Sequence, residues 1–183
     1  VLELRSNQGR IYRWVKEKVQ GLFQYKVESI EKEACQSKAT DWHPIQEARE
    51  FFKQESGFEI EKIFFWKEGE KIITSGIRIA ATSSERFYGF GERYNDINQR
   101  GNLVDVYVYN QYKDQGIRTY FPMPYFLSSE GYGFYLPTDH YVEFDLCRED
   151  ERYWKAEVQT ECLSWYRFAG TQKAVSYKHM TLT

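Results

Sequence analysis

The chain has 183 residues, 42% of them hydrophobic and 18% aromatic, with 15 Tyr, 13 Phe and 5 Trp; this is enough for one core, and the aromatic richness suits half-buried strands better than helices. Its 25 basic and 27 acidic residues are mixed along the chain and leave a formal charge of −2, so no basic stripe offers the footprint a phosphate backbone needs, and no nucleic-acid partner is expected. Apolar runs such as Ile63-Phe64-Phe65-Trp66 fall far short of the roughly 18 residues a membrane-spanning helix requires, so no membrane partner is expected.

Residues 2–5, 10–15 and 22–28 are short β-prone runs, with Phe23, Tyr25 and Val27 alternating in the third. Between Glu28 and Gly57 the pattern changes. Asp41 is placed to cap one short amphipathic helix near 44–56, whose apolar positions Ile45, Ala48 and Phe52 recur at helical spacing and which Gly57 ends. Residues 31–40 read either as helix or as an excursion between strands. Strand patterns then resume at 60–66, at 71–74 and, after a Ser75-Gly76 turn, at 77–82. Further strands are expected at 87–90, 103–109, 117–121, 125–127, 132–136, 142–146, 153–160 and 162–168. So many short strands with turns between them predict an all-β fold, a large antiparallel β-sandwich.

Cys35, Cys147 and Cys162 form no CxxC pair, and the odd count predicts reduced thiols and a cytoplasmic location. Cys147 and Cys162 are placed where they could face each other across adjacent strands. The three histidines, His43, His140 and His179, have no metal spacing with the cysteines, so neither a metal nor another cofactor is expected.

The most specific stretch is Arg86-Phe87-Tyr88-Gly89-Phe90-Gly91-Glu92-Arg93-Tyr94-Asn95, then Asn98-Gln99-Arg100-Gly101, then Pro124-Tyr125-Phe126-Leu127-Ser128-Ser129-Glu130-Gly131-Tyr132-Gly133. Gly89 and Gly91 leave one strand face bare, which permits close approach of a neighbouring backbone. Glu92 and Arg93 read as a polar pair that needs partners, and Arg100 as an arginine whose head reaches back to carbonyls or a carboxylate; these three are the expected loop-bracing residues. The Gly89-x-Gly91 pair lacks the third glycine and the helix of a dinucleotide fingerprint.

In order and spacing these segments resemble the N-terminal domain of glycoside hydrolase family 31. The resemblance implies a galactose-mutarotase-like supersandwich over residues 1–168. It implies that 169–183, with Ala169-Gly170-Thr171-Gln172 in place of a G-T-P approach, leads towards a (β/α)8 catalytic barrel. In such enzymes the loop after the strand at 104–109 reaches over the barrel mouth. Here it reads Asn110-Gln111-Tyr112-Lys113-Asp114-Gln115-Gly116. Its amides and carboxylate suit sugar hydroxyls, and Tyr112 offers a face to a pyranose ring. Asn110, Gln111, Tyr112, Lys113 and Asp114 are therefore the candidate substrate-loop residues, although many relatives carry their aspartate where Tyr112 stands.

Family members cleave α-linked glycosides by a retaining scheme with two barrel carboxylates. No tryptophan here is followed by the W-x-D-M-x-E nucleophile motif, so no catalytic residue is assigned and this chain alone is expected to be inactive. The expected partners are an α-linked oligosaccharide or glycoside and the barrel of the same polypeptide. Two other readings stay open: a stand-alone carbohydrate-binding module using Tyr112, Tyr120 and Tyr125 as a platform, and a sugar epimerase, for which the usual histidine pair is missing.

Overall fold

Period-two alternation of buried and exposed side chains organises the computed structural model, which describes residues 2–5, 11–19, 22–29, 39–42, 53–54, 56–68 and 71–170. Among these residues the strands are β1 (Leu2–Arg5), β2 (Ile11–Val19), β3 (Leu22–Ser29), β4 (Ala39–Trp42), β5 (Ile60–Glu68), β6 (Lys71–Ala80) and β7 (Phe87–Gly91). They continue as β8 (Leu103–Val106), β9 (Pro122–Ser128), β10 (Tyr132–Tyr135), β11 (Val142–Leu146), β12 (Tyr153–Val158) and β13 (Cys162–Ala169). One sheet has the order β1-β2-β3-β13-β10-β9-β7 and the other β4-β5-β6-β12-β11-β8, with every pairing antiparallel. The all-β, two-sheet architecture is the one the strand pattern predicts.

The inner faces meet in an aromatic core. Phe126 and Phe134 from the first sheet pack on Trp154 from the second at centroid distances of 5.2 and 4.9 Å, both edge-on. Phe126 also touches Phe144 at 5.9 Å. All four are fully buried, and edge-to-face pairs of this kind add about 0.5–1.5 kcal/mol each beyond the burial itself.

Several sequence expectations are corrected. Residues 71–80 form one strand rather than two, because Ser75 and Gly76 stay in the ladder: Ser75 Oγ donates to Thr160 O at 2.6 Å, and Phe64 lies across bare Gly76. Asp41 lies in β4, paired in register with Phe64. The helix expected near 44–56 falls mostly outside the described residues; Lys53, Gln54 and Ser56 are helical, and the Gly57 N–H donates to Lys53 O at 2.9 Å. The strand expected over 103–109 stops at Val106, and 117–121 keeps only a parallel bridge between Val108 and Thr119. Cys147 follows β11 in one sheet and Cys162 opens β13 in the other, so the two do not face each other across adjacent strands. Among the described residues, no helix is long and apolar enough to cross a membrane.

At β7 the two sheets set up the loop described next. A register shift between Gly89 and Gly91 turns Phe90 inward with φ 66°, where it stacks on Phe126 at 5.2 Å. The neighbouring backbone comes so close that a Cβ on Gly91 would lie 1.9 Å from Phe121 O and one on Gly89 2.9 Å from Tyr125 O. No side chain fits either place, which is why this strand needs glycine on both sides of its bulge.

Candidate functional site

Residues 107–121 leave the six-stranded sheet at the end of β8 and enter the seven-stranded sheet at β9. The two limbs are held side by side by Tyr109 N–H donating to Thr119 O at 2.8 Å. Within the excursion, Gln111 Nε2 donates to Lys113 O at 2.8 Å and Asp114 O at 3.0 Å, while its Oε1 accepts from Arg118 at 3.3 Å. Gln115 Nε2 closes the turn by donating to Gln111 O at 2.8 Å. Asp114 takes the left-handed conformation at φ 54°, tolerable for a short polar side chain.

The glutamine bonds turn Gln111 inward and leave its neighbours pointing out. Asn110, Lys113 and Asp114 are exposed, and Tyr112 is 93% exposed. Of the candidate loop residues, then, four present their side chains to the outside and Gln111 holds the loop's shape.

Arg93 sits at the foot of this loop. Its Nε donates to Phe90 O at 3.0 Å, Nη1 to Ile117 O at 2.6 Å and Nη2 to Asp105 O at 2.8 Å, so one guanidinium joins β7, the returning limb and β8. Burial lowers its pKa, opposed by the charge of Asp105. Glu92 is exposed; its N–H donates to Phe121 O at 3.1 Å, a backbone contact at the same foot. Arg100 works elsewhere: it donates to Thr82 O at 3.1 Å, Glu85 O at 3.0 Å and Glu151 O at 2.7 Å, none of them in the loop.

Around the loop lies an aromatic surface of which the sequence reading placed only Tyr120 in a binding platform. Tyr94 and Tyr120 approach with centroids 6.4 Å apart, and the bond to Tyr120 raises the Tyr94 pKa. Tyr107, Tyr109 and Tyr141 form a second group, in which the Tyr109 hydroxyl donates to Asp105 and Arg118 lies over the Tyr109 ring at 5.0 Å. Ile97, Tyr107, Val108, Tyr120 and Phe121 are more than half exposed. Sequence alternation runs on through Tyr109 and gave no signal of this surface: the tyrosines after Val106 belong to no strand. A Tyr112–Tyr120–Tyr125 platform does not form, since Tyr125 is buried against Phe168 on the outer face of the other sheet. Of the histidines, His140 lies in an exposed turn, and His43 and His179 fall outside the described residues. No group of three or more His, Cys, Asp or Glu among the described residues could hold a metal.

Residues 8–145 match the family described as the glycosyl hydrolase 31 N-terminal galactose mutarotase-like domain. The chain is 51% identical over 67 residues to an isomaltosyltransferase of Sporosarcina globispora, a match covering 37% of this chain and 6% of that protein. It is 33% identical over 102 residues to a 1,3-α-isomaltosidase of Kribbella flavida, covering 54% and 11%. Among solved structures, an uncharacterised protein from Listeria monocytogenes EGD-e superposes with a TM-score of 0.68 at 22% identity, over 94% of this chain and 20% of that one. A cycloalternan-forming enzyme from the same species, in complex with a pentasaccharide substrate, superposes with a TM-score of 0.61 at 21% identity, over all of this chain and 22% of that one. The chain thus corresponds to about a fifth or less of the length of these relatives.

Proposed function

Because the chain belongs to the family of glycosyl hydrolase 31 N-terminal galactose mutarotase-like domains, we propose that it is the non-catalytic N-terminal domain of a longer enzyme that cleaves or transfers α-linked glucosyl units. In this reading residues 1–168 form the sandwich, and 169–183 lead to a (β/α)8 barrel that carries the nucleophile and the acid of a retaining mechanism. The sandwich docks on that barrel through the aromatic surface around Tyr94, Tyr107 and Tyr120, and the 110–116 loop narrows the substrate pocket.

The observation that carries this reading is the loop itself: a turn stiffened by Gln111 and anchored by Arg93 that leaves Tyr112 93% exposed. A rigid, solvent-facing phenol loses little entropy when it stacks on a sugar, whereas a floppy one would. The names of the relatives, an isomaltosyltransferase and a 1,3-α-isomaltosidase, support isomaltose-bearing α-glucans as the substrate class.

In the full-length enzyme, Tyr112→Ala is expected to raise KM for an isomaltose-containing oligosaccharide by about tenfold, the worth of one aromatic contact, with kcat little changed. Steady-state kinetics read this directly. Unchanged KM and kcat would place the loop outside the pocket.

A further inference from the structure

The outer face of the six-stranded sheet carries a second concave site, away from the loop. Register brings Lys62 of β5, Arg78 of β6 and Lys155 of β12 into one cross-strand row, and Phe64, Gly76 and Glu157 into the next. Trp66 follows on β5, 40% exposed. Together these side chains and Glu149 line a cleft of about 250 Å³.

The cleft's floor is flat for a physical reason. Gly76 has no side chain, and the Phe64 ring occupies the place its Cβ would take, 2.1 Å from the nearest ring atom. The rim is already ordered. Lys155 Nζ lies 2.9 Å from Glu157 Oε1 and 3.5 Å from Glu149 Oε2, Arg78 is bound to Asp150 at 2.8 Å and lies over the Tyr153 ring at 4.4 Å, and the Lys62 ammonium sits 5.4 Å from the Phe64 centroid. Held in this way, the polar groups lose little freedom when a ligand arrives.

Charge selects the ligand. Three cations and two carboxylates line the cleft; both carboxylates lie on Lys155, and Arg78 is held by Asp150 at 2.8 Å and Glu61 at 3.9 Å just outside the lining, so the cleft presents little net field to an anion or a cation. A neutral polyhydroxylated molecule suits both: its hydroxyls donate to Glu157 and Glu149 and accept from Lys155 and Arg78, while the C–H face of a ring rests on the Trp66 indole. The volume is just under the roughly 300–1,000 Å³ of drug-sized pockets, which suits one or two sugar rings.

We infer that this cleft is an accessory binding site for an α-glucosyl disaccharide end, centred on Trp66 and Glu157 and separate from the 110–116 loop. The choice of glucose rests on the functional reading above; the site's location does not. Such a site would hold a branched α-glucan on the enzyme surface by one of its ends.

The test is a titration of the 15N-labelled 183-residue chain with isomaltose. Saturable shifts in the millimolar range are expected at the amides of 62–66, 76–78 and 155–157 and at the Trp66 indole N–H. Trp66→Ala should weaken binding by about tenfold or more, and Glu157→Gln by a smaller factor; Glu161→Gln, on the exposed β12–β13 turn, serves as a remote control with no expected effect. Should Trp66→Ala fail to fold, Glu157→Gln and Lys155→Met carry the test. Shifts confined to 110–116 would support the pocket-narrowing loop and overturn this site. The absence of saturable shifts, or the same shifts at equal strength with sodium sulfate, would overturn it as well.

Discussion

Glu85 shows how a single buried carboxyl ties two connections together and what that costs. Its side chain accepts from Ser128 Oγ at 2.5 Å, Tyr132 OH at 2.6 Å and Thr82 N–H at 3.3 Å, joining the β6–β7 connection to the β9–β10 hairpin. Burial raises its pKa in spite of these bonds. A folded-state pKa above the unfolded one contributes stability that is complete below the unfolded value and lost as pH rises through the folded value. Chemical denaturation of wild type should therefore show a fall in stability as pH rises above the ordinary glutamate range, and Glu85→Gln should make that fall smaller; parallel pH profiles would contradict this. Arg93 is the other residue with a defined structural consequence. Arg93→Met removes the donors to the carbonyls of Phe90, Ile117 and Asp105 and is expected to cost about 1–3 kcal/mol and to make the 107–121 excursion the first site of limited proteolysis. The sequence makes a short list of such residues legible, because arginine and glutamate beside glycine-rich corners need partners. It does not say which partners: Arg100 reaches Thr82, Glu85 and Glu151, and Arg93 reaches the loop foot. Those carbonyls come together only when strands far apart in sequence pair.

Among the elements, β7 is the one whose sequence and geometry fit most tightly. Gly91 and Gly101 both have positive φ, 83° and 84°, but a Cβ on Gly91 would meet Phe121 O at 1.9 Å whereas one on Gly101 meets nothing within 4 Å. Gly101→Ala should cost about 1 kcal/mol for its backbone conformation alone, and Gly91→Ala about 2–5 kcal/mol because the β9 backbone must also move. Equal destabilisation in urea unfolding would mean that the close approach is not what fixes this glycine. Elements with clear alternation were legible: β11 over 142–146 and β1 over 2–5 fall where the pattern puts them. The misread ones are those in which tertiary pairing overrides local signals. Ser75-Gly76 looks like a turn yet stays in a central strand, because the neighbouring Phe64 ring covers the glycine. The alternation of 103–109 continues past the point where the sheet ends, since Tyr107 and Tyr109 turn to face each other at 5.1 Å rather than pair with β11.

For the whole molecule, a two-sheet β body was legible from alternation and aromatic content, but sheet membership was not. β3 pairs with β13, so that Gln24 Nε2 donates to Ser164 Oγ across 140 positions of sequence, and β6 pairs with β12. Local pattern carries no information about such partners. The same pairings create the two surfaces to which function is assigned. The crossing from β8 to β9 makes the loop, and the adjacency of β5, β6 and β12 makes the Trp66 cleft. In the proposed reading both hold sugar and neither breaks bonds. The claim that this body binds and shapes while a separate barrel performs the chemistry is tested most directly by incubating the purified 183-residue chain with a chromogenic aryl α-glucoside. The expected result is no aglycone release above the buffer rate at any pH between about 4 and 8, the range over which catalytic carboxylates operate. Saturable release that persists through repurification, at a rate proportional to the concentration of the chain, would contradict it.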